Sequence, residues 1–62
     1  MWIVVYLSTN KVNAEKLVEV LSDNNIISRL RSVDREQDSF EVLVPQAELN
    51  QAQNLIIDSE LF

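Results

Sequence analysis

Six consecutive residues, Trp-Ile-Val-Val-Tyr-Leu at positions 2–7, carry no charge and constrain what the rest of the chain can do. Three of the six are β-branched and two are aromatic, a composition that favours a strand over a helix. Side chains alternate across a strand. Ile3, Val5 and Leu7 are therefore expected to point one way, and Trp2, Val4 and Tyr6 the other. Both faces are apolar. A strand of that kind needs cover on two sides, and a short chain readily supplies only one.

The length makes the shortage acute. Sixty-two residues form one domain, 1–62, and a domain of that size buries only about 60% of its unfolded surface. Small domains commonly add disulfides, a metal or a partner subunit. The chain has no cysteine and no histidine, which removes disulfides, thiolate sites, and the commonest metal ligand and general base. Oligomerisation is the remaining device, so a homodimer is expected. No metal site and no cofactor is expected. There is also no glycine, and phosphate-cradling loops need glycine for close backbone approach.

Charge narrows the partners. Ten acidic residues against five basic ones give a net charge of −5, the wrong sign for a polyphosphate or an anionic membrane surface. No apolar run approaches the roughly 20 residues of a membrane span. The N-terminus lacks the pattern of a secretory leader. A soluble, cytoplasmic protein that binds neither nucleic acid nor membrane is expected.

Beyond the first strand, Ser8-Thr9-Asn10 is a run of helix-capping residues. Ala14, Leu17, Val18 and Leu21 follow at i, i+3, i+4 and i+7, which predicts a helix over 11–23. Asn24 or Asn25 is expected in the left-handed position that closes it. Residues 26–33 read as a second strand, with Ser28, Leu30 and Ser32 alternating against Arg29, Arg31 and Val33. Residues 34–39 form a polar connection. Residues 40–44 read as a third strand, with Phe40, Val42 and Val44 on one face and Glu41 and Leu43 on the other. Pro45 stops that strand and suits the start of a helix. Leu49, Ala52, Leu55 and Ile56 continue the helical spacing over 46–56. Residues 57–62 are left to fray or to form a short fourth strand, with Leu61 and Phe62 expected to dock.

The order is β-α-β-β-α. A right-handed crossover makes the first two strands parallel, with the third antiparallel between them. This predicts an α+β, ferredoxin-like split β-α-β fold, sheet order 1-3-2, with both helices on one face. The expected core is Ile3, Val5, Leu7, Leu17, Leu21, Val42 and Leu55.

Three places could carry binding. Trp2, Val4, Tyr6, Arg29, Arg31 and Leu43 are expected together on the open face of the sheet. Two arginines beside aromatics could hold an anion or planar ligand. The simpler reading pairs the arginines with Glu41 and makes the aromatics an interface. Asp34, Glu36 and Asp38 alternate with Arg35 between them, which reads as a solvated hairpin tip rather than a cation loop. Ser8-Thr9-Asn10 could bind an anion at a helix start, but capping explains the same residues. No hydroxyl has a visible base to activate it, so no catalytic residue is assigned and an enzyme is not expected.

Trp2, Ile3, Val4, Val5 and Tyr6, then Asn10, Ala14 and Glu15, resemble the start of a family of small bacterial signal-transducing proteins of unknown function. The likeness continues through Leu30-Arg31, Glu41-Val42-Leu43-Val44-Pro45 and Ala52. It covers nearly the whole chain through mostly structural motifs. It is nearest to a short clostridial-type group, some members of which carry a glutamate decarboxylase label. Such an enzyme uses pyridoxal phosphate on a lysine in a much longer chain, and Lys11 and Lys16 here lie on a helix with no pocket. The resemblance implies a ferredoxin-like fold similar to the nitrogen-regulatory PII proteins and no catalytic residues. The sequence departs from the family at Asn24-Asn25 and at Ser32, and it lacks the long nucleotide-binding loop of PII proteins. What the reading implies is a non-enzymatic regulatory or interaction module acting as a homo-oligomer. The alternative is a small-anion or metabolite sensor using Arg29 and Arg31.

Overall fold

The computed structural model describes residues 1–33 and 38–59. Strand β1 (Trp2–Ser8) leads into helix α1 (Lys11–Asp23), then β2 (Arg29–Ser32), β3 (Phe40–Pro45), one 3-10 turn (Gln46–Glu48) and helix α2 (Leu49–Ser59). The sheet order is β1-β3-β2, and β3 is antiparallel to both neighbours. This is the expected α+β, ferredoxin-like arrangement. No helix among the described residues is long and apolar enough to cross a membrane.

Local chemistry explains each end of α1. Asn10 sits in extended backbone, and its Oδ1 accepts from the N–H groups of Val12 (2.9 Å) and Asn13 (3.3 Å). Two of the orphan donors of the first turn are thereby satisfied. At the other end Asn25 takes φ 63°, the left-handed conformation that asparagine tolerates better than most residues. The Ile26 N–H donates to Leu21 O (2.9 Å) and the Asn25 N–H to Ser22 O (3.0 Å), the paired bonds of a Schellman ending. Ile26, 3% exposed, joins Leu21 in the core, supplying the apolar contact that accompanies such an ending.

That ending shortens β2. The alternating pattern predicts a strand over 26–33, yet pairing begins at Arg29. Ile26 is taken by the helix closure, and Ile27 is left 68% exposed. The faces of β2 are as expected: Arg29 lies opposite Leu43, Leu30 opposite Val42 and Arg31 opposite Glu41.

β1 departs further. Val4 lies opposite Leu43 and Tyr6 opposite Val42, so β1 advances two residues while β3 advances one. This is a β-bulge, and it reverses the side-chain alternation beyond it. Tyr6 therefore shares the helix-facing side with Val42 and packs with Val5 against the core. Leu7, opposite Glu41, is turned outward and is 62% exposed. The expectation that Tyr6 lies on the open face and Leu7 in the core is corrected on both counts. The bulge also puts Ser8 on the helix-facing side, opposite Phe40. There the Ser8 Oγ accepts from the Asn10 N–H (2.9 Å) as the chain turns into α1.

The core sits between the helices and one face of the sheet. Ala14, Leu17 and Leu21 of α1, Val42 and Val44 of β3, and Ala52 of α2 are fully buried. Leu55 and Ile56 pack at its edge. Removing such apolar area from water contributes about 25 cal/mol per Å².

The second helical stretch runs to Ser59 rather than ending at Ile56. Residues 57–59 are thus helical, not the start of a fourth strand, and Ile57 is 73% exposed. Leu61 and Phe62, expected to dock, lie outside the described residues, as do Asp34, Arg35 and Glu36.

Candidate interaction surface

With both helices on one side, the other side of the sheet is bare among the described residues. Register assigns its occupants: Trp2, Val4 and Leu7 from β1, Glu41 and Leu43 from β3, Arg29 and Arg31 from β2. Of the residues expected there, all but Tyr6 are present. Leu7 is the member that alternation missed. A run apolar on both faces does not fix its own register, so nothing in residues 2–7 signals the bulge.

The centre of this face is Leu43. It is only 7% exposed although no helix covers it. The cover comes from the two edge strands. Arg29 reaches across β3 until its Cζ lies 4.1 Å from the centroid of the Trp2 ring. A guanidinium over an indole is attracted by the ring quadrupole, worth about 0.5–1 kcal/mol at an exposed site. Trp2, Arg29, Leu30, Arg31 and Leu43 line a shallow depression of about 470 Å³.

Beside it, Arg31 holds Glu41. The Arg31 Nε donates to Glu41 Oε1 at 3.0 Å, and a terminal guanidinium nitrogen donates to the same oxygen. The Arg31 side chain is 61% exposed and that of Glu41 18%, so the pair stabilises by no more than about 1 kcal/mol. Both bonds converge on Oε1. Among the described residues nothing donates to Oε2, and Arg29 makes neither a hydrogen bond nor an ion pair. Val4, 40% exposed, and Leu7 extend the apolar surface along β1.

The helix-start candidate is already engaged. The helix-start groups at Ser8 and Asn10 cap α1. Asp38 is exposed, and no cluster of three or more metal-ligating side chains occurs among the described residues. A second depression, of about 410 Å³, lies at the end of α1 between Val18, Ser22, Ile26 and Ser28, and among the described residues no charged side chain lines it.

No family model matches this chain, and no curated protein or solved structure matches it.

Proposed function

We propose that this protein is a small non-enzymatic regulatory or protein-interaction module that acts as a homodimer through the open face of its sheet. The observation that carries this reading is the composition of that face: Trp2, Val4, Leu7 and Leu43 form an apolar strip with no helix over it. Contiguous exposed apolar surface rimmed by polar groups marks an interaction site, and tryptophan and arginine are typical anchors of one. The face also carries charges of both signs, Arg29 and Arg31 beside Glu41, so a second copy can meet it with opposite charges. The resemblance to small signal-transducing proteins supports the regulatory part of the reading. The anion-sensor alternative has less support, because it needs Arg29 and Arg31 together and Arg31 is engaged by Glu41.

Sedimentation velocity at micromolar concentration tests it. The wild type is expected to run at twice 7.1 kDa. A Val4→Glu, Leu7→Glu double variant is expected to be monomeric with unchanged far-UV circular dichroism. A monomeric wild type refutes the proposal.

A further inference from the structure

We propose that two copies meet open face to open face and that Arg29 of each subunit bonds to Glu41 of the partner subunit. This rests on the self-association proposed above and names the contact that closes it. A twofold interface brings one patch against itself, so a charged group on the face can meet only groups of that same face. The described face holds three: Arg29, Arg31 and Glu41. Arg31 is matched within its own chain. Arg29 has no hydrogen-bond or ion-pair partner among the described residues, and burying an unpaired charge is strongly unfavourable. Glu41 is the only carboxylate that the described part of the face offers. It has capacity left, because both Arg31 bonds fall on Oε1 and a carboxylate has about four lone-pair sites. Among the described residues this face thus carries both a guanidinium with no hydrogen-bond acceptor and a carboxylate oxygen with no donor.

Their placement is also self-complementary. Arg29 is the cross-strand partner of Leu43, and Arg31 that of Glu41. Arg29 and Glu41 are therefore diagonal neighbours, with backbones about 7–8 Å apart. A twofold axis lying in the interface near Leu43 makes the contact reciprocal, Arg29 to the partner's Glu41 and Glu41 to the partner's Arg29. Two bonds then flank the Trp2–Leu43 strip of each subunit.

Charge complementation between two variants tests the pairing. One is Arg29→Glu. The other is Arg31→Glu with Glu41→Arg, which keeps opposite charges within each chain and so preserves the bridge to β2. Each variant alone sets like charges together at both predicted contacts, and its dimer is expected to weaken at least about 100-fold. An equimolar mixture restores opposite charges at both contacts, and a heterodimer within about tenfold of wild-type affinity is expected. Circular dichroism confirms that each variant is folded, and sedimentation at matched concentrations reads the assembly. Either variant dimerising like wild type, or a mixture that stays monomeric, overturns the pairing. A wild type that is itself monomeric refutes the dimer reading, whereas a wild-type dimer without complementation refutes only the Arg29–Glu41 contact.

Discussion

The bulge in β1 makes opposite predictions for two adjacent residues. Strict alternation would bury Leu7 and expose Tyr6, and the structure does the reverse. Leu7 is 62% exposed, so little more than a third of its surface is out of water. Full burial of a leucine side chain contributes about 1.5–3 kcal/mol, and truncating Leu7 to alanine should therefore cost about 0.5–1 kcal/mol. Tyr6 packs its ring against the core cluster. Large aromatics cut to alanine in a core cost about 3–5 kcal/mol. For a partly buried ring about 2–3 kcal/mol is expected. A 62-residue domain has a total stability of about 3–9 kcal/mol at the usual per-residue value, so Tyr6→Ala should remove a large fraction and Leu7→Ala a small one. Urea unfolding followed by far-UV circular dichroism measures both. Dilution matters, because dimerisation adds stability that depends on protein concentration and Leu7 lies in the proposed interface. At concentrations where the wild type is monomeric, a Leu7→Ala cost equal to or above that of Tyr6→Ala would refute the register.

Two further expectations concern the helical layer. Leu17 is fully buried, and Leu17→Ala should cost about 2–5 kcal/mol, read as a lowered urea midpoint at unchanged slope; an unchanged midpoint would contradict the packing of α1. Asn25 holds φ 63°, so Asn25→Ala should destabilise by about 1–2 kcal/mol while Asn25→Gly should be neutral or mildly stabilising; equal melting temperatures for the two variants would contradict the left-handed closure.

Much of the fold was legible in the sequence because its signals are local. The spacing of Ala14, Leu17 and Leu21 belongs to one helix face, and the structure buries those residues fully. Asn24-Asn25 announced an ending that a chain without glycine had to make with asparagine. What was not legible depended on tertiary competition. Ile26 is apolar in a way that suits a strand, and the closure of α1 claimed it instead. Ile57 fits a helix or a strand, and α2 continued through it to Ser59. The candidate surface was legible on β2 and β3, where polar and apolar residues alternate and fix the faces. On β1 every residue from 2 to 7 is acceptable on either face. The reversal after Val4 therefore shows only in the pairing with β3.

The same bulge bears on how far association can grow. Among the described residues β1 is the outermost strand on its side of the sheet, and it carries neither charge nor proline, the features that most often keep a sheet margin from adding further strands. A regular strand of that composition would be a template on which copies could add side by side, each leaving a fresh margin for the next. The irregularity at Val4 and Val5 breaks the even ladder and increases the local twist, so a second straight strand finds no continuous row to join. Growth along the sheet is thereby discouraged while the open face stays available, and the proposed twofold contact on that face would consume the surface that makes it. In the proposed dimer the stopping point of assembly is built into the strand rather than supplied by its length.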